Sequence, residues 1–394
     1  MLSLTQAQQI IISHARSFGK ETVGLDYCYR RILAETIEAD RDYPPFNRAA
    51  MDGFAIRHDD WKGGVSEFQV VETIYAGNFS NVALKKGECY KIMTGAAVPI
   101  FADTIIRKED TTEENHRIHF TVKDVKPFQH ISKKGEDIKE ATIIIGKAIR
   151  FNTSLIGLLA SLGKSKVIVE RLPKVGIITT GDEVVTIDSL VNEVQIRNSN
   201  VFILQSLLKL WDITPDYCDH VLDNIDQLES IITKNLVNDI VIINGGVSAG
   251  DADYVPQVLE KLGAKMIFHK VAIKPGKPIW FGKFQNGPVI FALPGNPFSC
   301  FITFKLFIEV FLCASFGIDL PTALSLPLYG TRVKISTLDE FFPVKISGNP
   351  SGLELIQFNG SGDITAAISA DGIAQHLNQT KELLFGTIIP FYSF

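Results

Sequence analysis

Disulfide and zinc chemistry are the first things this sequence lacks the means for. Its five cysteines (Cys28, Cys89, Cys218, Cys300 and Cys313) are an odd number with no C-x-x-C pair. That excludes a disulfide framework or structural zinc site and points to a reducing compartment, the cytoplasm. Positive charge is not in excess either: 39 Lys and Arg against 44 Asp and Glu leave a net charge of −5. No global basic field is available to draw nucleic acid, so any anionic ligand must be held by a local cluster of lysines and backbone N–H groups. No Ser-His-Asp order, Walker loop or H-E-x-x-H is found, which removes the commonest hydrolase and NTPase readings. Internal repeats and low-complexity tracts are missing too. The stretch 1–19 mixes polar with apolar residues and has no small-residue cleavage site, so it reads as an amphipathic helix rather than a signal peptide. The most apolar run, 298–313, carries Lys305 and Glu309. It reads as a buried helix too short to cross a bilayer, and no membrane partner is expected.

What is present has three textures. With 394 residues, the chain can form two to four domains of roughly 100–200 residues each. Residues 4–18 have helical spacing, and 26–39 continue in mixed character. Pro44 and Pro45 then break the pattern. From there to about residue 145, short alternating runs (68–73, 89–93, 104–107, 118–122 and 142–145) are separated by Gly, Asn and Lys, the signature of a β-rich insertion. Helical character resumes at 152–162, so one domain is split around another. From Pro173 onward, apolar strands alternate with helices, implying parallel βαβ units. Pro321 opens a last region of alternating pieces at 331–335, 343–346 and 353–357, which reads as a small β domain.

The stretch 239–256 organises the α/β region. A β-branched strand ends at Gly245-Gly246, followed by Ser248, Asp251 and Asp253 and then a helical pattern. This order sets an anion cradle beside carboxylates able to hold a hard cation. A capped helix would explain one such turn. Two more glycine-bearing turns end neighbouring strands, at 179–183 and at Pro294-Gly295-Asn296-Pro297. Together they form a ligand-binding wall at the carboxyl ends of one sheet. Close by, Lys270, Lys274 and Lys277 fall within eight residues beside two prolines and a glycine. Read as a strand, 270–274 would aim Lys270 and Lys274 at one face, suited to phosphate or another oxyanion. The small-residue run 47–55 presents Asp52 from an Asp-Gly turn. His116 and His119 read as surface residues.

Eight motifs now stand in order: PPFNRAAMDGFA (44–55), MTGAAVP (93–99), GEDI (135–138), TTGDE (179–183), IRNSN (196–200), INGGVSAGDADYVP (243–256), KVAIKPGKP (270–278) and ALPGNPFS (292–299). Jointly they resemble the molybdopterin molybdenumtransferase family, that of MoeA and the gephyrin E domain. The resemblance implies a multidomain α/β plus β fold. Its parts would be a discontinuous helical/mixed N-terminal domain (1–42 and 146–170), a β-rich insertion domain (43–145), a central MogA-like α/β domain with a mostly parallel sheet (171–318), and a small barrel-like C-terminal β domain (319–394). It implies insertion of molybdenum from molybdate into adenylylated molybdopterin, with release of AMP and use of Mg²⁺. It further implies a homodimer whose cleft is shared between subunits, and transient contact with a MogA-like adenylyltransferase. The rival readings are the adenylyltransferase itself and a non-catalytic scaffold of the gephyrin type.

Carried over residue by residue, the family pattern falls on Asp52, Thr94, Asp137, Glu183, Asp253, Lys270 and Lys274, and on Asp223 with Asp219 as its alternative. Asp52, Glu183 and Asp253 are the candidate metal ligands. Gly245, Gly246, Ser248, Lys277, Pro294, Gly295, Asn296, Pro297 and Ser361 are the candidate substrate contacts. The family's C-terminal arginine has no counterpart after Arg332, leaving Lys334 or Lys345 as stand-ins.

Overall fold

The computed structural model describes residues 1–115, 117–247, 254–348 and 350–394. They form two compact units. One comprises Met1–Ala34, Ala148–Ala160 and Lys164–Phe394, and the other Glu35–Lys147 with Ser161–Gly163.

In the larger unit the first helix, Leu4–Ser13, starts at a capping box in which Ser3 and Gln6 exchange hydrogen bonds, satisfying two of its free N-terminal donors. It buries Leu4, Ala7 and Ile11, one face at helical spacing. The helix stops short of the expected end at residue 18, and Phe18 instead packs edge-on against Phe311 and Phe316. The mixed stretch that follows is extended rather than helical: Lys20–Gly24, Lys166–Glu170, Ile32–Leu33 and Ile149–Arg150 make a four-stranded sheet.

The α/β layer has the strand order Tyr217–Val221, Val175–Thr180, Ile240–Asn244, Val289–Leu293, Trp280–Lys283, Lys265–His269. The first four pair in parallel, and the last two are joined through antiparallel pairings. Val175–Thr180, Ile240–Asn244 and Val289–Leu293 are buried along their whole length, as strands covered on both faces must be. Register does the positioning: Thr179 lies opposite Asn244, and Asn244 opposite Leu293. The three glycine-bearing turns therefore begin side by side.

The apolar run near residue 300 is a continuous helical stretch, Pro297–Phe316. At 20 residues it is long and apolar enough to cross a membrane by length and composition, contrary to the shorter span expected. It instead lies in the main core, with Cys300, Phe304, Phe307 and Phe311 buried. A π-helical turn at Phe304–Ile308 interrupts it. Lys305 and Glu309 face one another there at 2.8 Å, so the two charges in the run neutralise each other.

The C-terminal strands Asp339–Ser347, Gly352–Leu355, Leu324–Tyr329, Ile388–Ser393 and Gly372–His376 follow one another around a small barrel, closed by pairing of the last with the first. One further strand joins its edge: Ile273–Lys274, from the α/β region, runs parallel to Asp339–Glu340.

The smaller unit carries a six-stranded sheet in the order Thr104–Arg107, Gly53–Ile56, Glu88–Ile92, Glu67–Ile74, Arg117–Phe120, Thr111–Glu114. Apolar clusters around Tyr90 and around Phe68 cover its faces. Four of these strands lie where the alternating runs place them.

Candidate functional site

A cleft of about 1370 Å³ opens where the α/β strands end and the barrel begins. Its floor is the three turns. Gly245 adopts φ +101° and Gly246 φ +63°, conformations that favour glycine. A Cβ at Gly245 would stand 2.6 Å from the Thr180 carbonyl oxygen, and one at Gly295 3.7 Å from Gly245 Cα. The turns thus approach one another at backbone distance. The Gly245 N–H donates to the Leu293 carbonyl at 3.0 Å, so this amide serves the turn and is not part of an anion cradle.

Two asparagines lock the floor. Asn200 Nδ2 donates to Asn244 Oδ1 at 2.7 Å and to the Gly295 carbonyl at 2.6 Å, while Asn244 Nδ2 donates to the Pro294 carbonyl at 2.8 Å. Both asparagines are buried, and although Asn200 Oδ1 has no partner among the described residues, the three bonds tie the turns in one arrangement. In the sequence, Asn198, Ser199 and Asn200 each offer a helix cap. The cap is Asn198, which accepts from Val201 N–H.

Carboxylates occupy one end. Glu183 and Asp223 both line the cleft. Asp223 Oδ1 accepts from Thr180 Oγ1 at 2.6 Å, and its own N–H donates to Asp182 Oδ1 at 2.9 Å. Asp223 is held by these contacts and does not cap the helix it precedes, a role taken by Asn224. Asp219 is engaged elsewhere, by Lys234 and Asn235. Ser248, Asp251 and Asp253 lie outside the described residues, as does His116.

Cations occupy the other end. Lys274 and Lys277 line the cleft, and Lys270 is not among its lining residues. The expected alternation fails because Lys270 has φ +71°, turning the chain between two strands that belong to different sheets. From the barrel come Arg332, Glu340 and Ser361. Asn296 Nδ2 donates to Ser361 Oγ at 2.8 Å, and Phe298 N–H to the Ser361 carbonyl at 3.0 Å. These bonds fasten the Ser361 loop to the Pro294–Pro297 turn. Arg332 Nη2 is 2.7 Å from Glu340 Oε2, and Lys274 Nζ is 3.3 Å from Glu340 Oε1. Burial works against the charge on Glu340, yet the bonds and charges of Arg332 and Lys274 outweigh it and hold this carboxyl below its usual range.

The stand-in lysines are ruled out on geometry. Lys334 is buried and its ammonium donates to the carbonyls of Leu338, His376 and Leu377, while Lys345 is exposed outside the cleft lining. Arg332, the last arginine in the chain, does line the cleft.

In the smaller unit, Asp52 Oδ1 accepts from the Thr94 hydroxyl at 2.6 Å and from the Thr94 N–H at 2.7 Å. These two bonds lower the Asp52 pKa below the ordinary carboxylate value. Asp137 is a turn residue of the same unit, its N–H bonded to the Tyr43 carbonyl at 3.0 Å. Among the described residues, no group of three or more His, Cys, Asp and Glu side chains is arranged to hold a metal by itself.

A hydroxyl-anchored carboxylate end, a backbone floor and a two-sheet cation end make a site suited to an anionic ligand. The family described as the MoeA N-terminal region (domain I and II) matches residues 2–163, and that described as a probable molybdopterin binding domain matches 176–313. This is the class of molybdenum cofactor biosynthesis proteins. Over 398 residues the chain is 32% identical to the molybdopterin molybdenumtransferase of Staphylococcus epidermidis, covering 98% of this chain and 94% of the relative. Its identity to the protein of that name from Synechocystis sp. is 31% over 404 residues, with both chains covered completely. Two crystal structures of the molybdopterin biosynthesis MoeA protein from Pyrococcus horikoshii superpose with TM-scores of 0.81 and 0.85, at 30% and 25% identity. Each covers 100% of this chain, and they are themselves covered over 99% and 100% of their length. The chain belongs to the molybdopterin molybdenumtransferase family.

Proposed function

We propose that this enzyme transfers molybdenum from molybdate into adenylylated molybdopterin and releases AMP. The observation that carries this reading is the meeting of Lys274 and Arg332, from two different sheets, in the cleft that Glu183 and Asp223 also line. Molybdate is a tetrahedral dianion. A guanidinium and an ammonium suit its oxygens, the first as a fork of donors and the second as a point charge, and Ser361 Oγ adds a neutral partner. The nucleotide-linked pterin would lie over the floor formed by Gly246 and the Pro294–Pro297 turn.

The carboxylates of Glu183 and Asp223 fit Mg²⁺, a hard cation that takes one or two protein carboxylates and completes its shell from substrate phosphates and water. Bound there, Mg²⁺ would supply neutralisation of pyrophosphate charge. The protein's own part is to orient Asp223 through Thr180, and to present Lys274 and Lys277 where charge develops as the pyrophosphate is cleaved. In the homodimer that completes this reading, Asp52 and Thr94 of a second copy serve the cleft. A cytoplasmic location and transient receipt of substrate from an adenylyltransferase belong to the same proposal.

Purified protein given adenylylated molybdopterin, Mg²⁺ and molybdate should release AMP only when molybdate is present. Lys274→Ala and Glu183→Ala should each lower kcat/KM by about 100-fold. AMP release that ignores molybdate and both substitutions would overturn the proposal. ATP consumption with free molybdopterin would assign the adenylyltransferase reaction instead.

A further inference from the structure

Glu340 stands at the junction of the two cations. Its strand neighbour across the Ile273–Lys274 pairing is Lys274, so register alone delivers the lysine to the carboxylate. One oxygen takes Lys274 and the other Arg332. The exposures differ sharply. The Glu340 side chain is 7% exposed and Arg332 18%, whereas Lys274 is 63% exposed. Glu340 therefore lines the cleft from a nearly buried position, while Lys274 stands out into solvent.

Arg332 is fixed from two further sides, by the His376 imidazole and by Phe342, whose ring centroid lies 4.3 Å beneath the guanidinium. Two cations meant for one small dianion repel each other. A carboxylate between them lets them stand close, and it also subtracts one unit of charge from the field an incoming anion meets.

We propose that Glu340 is the positioning residue of the oxoanion site: it sets the separation of Lys274 and Arg332 and keeps their grip on the anion loose enough for transfer. The proposal rests on reading those two residues as the oxoanion ligands. Binding that is tight before the metal moves adds nothing to the rate of moving it, so a counter-ion that weakens the resting complex favours turnover.

The test compares Glu340→Gln and Glu340→Asp with the parent in the full chain. Molybdate alone is titrated calorimetrically, AMP release gives kcat and KM for molybdate, and thermal melting reports folding. Gln keeps the shape and removes the charge, so molybdate should bind about tenfold tighter while kcat falls about tenfold. Asp keeps the charge and shortens the reach, so kcat should fall with no gain in affinity. A purely structural role would give a lower melting temperature with unchanged Kd and kcat per folded molecule, and that result overturns the proposal. Lys274→Ala and Arg332→Ala serve as controls. If both weaken molybdate binding while Glu340→Gln leaves Kd and kcat alone, the proposal falls and the oxoanion reading stands. If neither control weakens binding, both fall together.

Discussion

Arg332 donates through Nη1 to Nδ1 of His376, 3.0 Å away, which requires that nitrogen to be unprotonated. His376 is fully buried, and its Nε2 has no hydrogen-bond partner among the described residues. Burial, together with the charges of Lys334 and Arg332, pushes its pKa down to about 4. The unfolded chain, with histidine near 6.5, binds the extra proton between those values. Stability is therefore full above about pH 6.5 and is lost progressively as pH falls to about 4, by up to about 3 kcal/mol. The melting temperature of the parent should drop more steeply than that of His376→Asn between pH 7 and pH 4.5. Parallel curves would contradict the assignment.

Gly245→Ala should destabilise the chain and disable the cleft. The positive φ strains any side chain, and the added Cβ would meet the Thr180 carbonyl at 2.6 Å, so about 2–3 kcal/mol is expected. Gly157→Ala supplies the contrast. That glycine sits in the helix Thr153–Ser161, where an added Cβ would have nothing within 4 Å, and alanine there should stabilise by about 0.5–1 kcal/mol. Chemical denaturation of both variants, alongside AMP release, distinguishes the two kinds of glycine.

Lys305 and Glu309 are 13% and 17% exposed. Lys305→Met removes one partner and leaves the Glu309 carboxylate without its ion pair, costing about 3 kcal/mol. Replacing both, as Lys305→Met with Glu309→Leu, should restore most of that stability, because the charge left unpaired by the single change is gone. A double variant no more stable than the single one would show that packing rather than charge governs this segment.

The turns and the central strands are legible in the sequence because each depends on local chemistry. The run 240–243 is apolar and β-branched throughout, as a strand covered on both faces must be, and Gly245-Gly246 marks the turn wherever the sheet is placed. Lys274 meets Glu340 only through strand pairing between residues far apart in the chain, and Arg332 reaches Glu340 from a strand paired elsewhere, for which no local pattern exists. Lys270 is misplaced by sequence alone for a related reason: strand alternation does not carry across a residue that turns the chain. Asn200 is half legible, since a cap motif accounts for Asn198 while the bonds of Asn200 reach Asn244 and Gly295. The barrel strands Leu324–Tyr329, Gly372–His376 and Ile388–Ser393 are hidden because Pro327, Pro390 and flanking glycines mask their alternation.

The two residues Ile273 and Lys274 act as a splice, contributed by the α/β region and stitched into the edge of the barrel sheet. A chain cut ahead of the barrel would lose more than its last stretch of sequence: Lys274 would forfeit both its strand neighbour and its counter-charge in a single excision. The C-terminal region is thus no detachable appendage. It holds half of the electrostatic machinery, and the α/β layer reaches across to hold the other half in place.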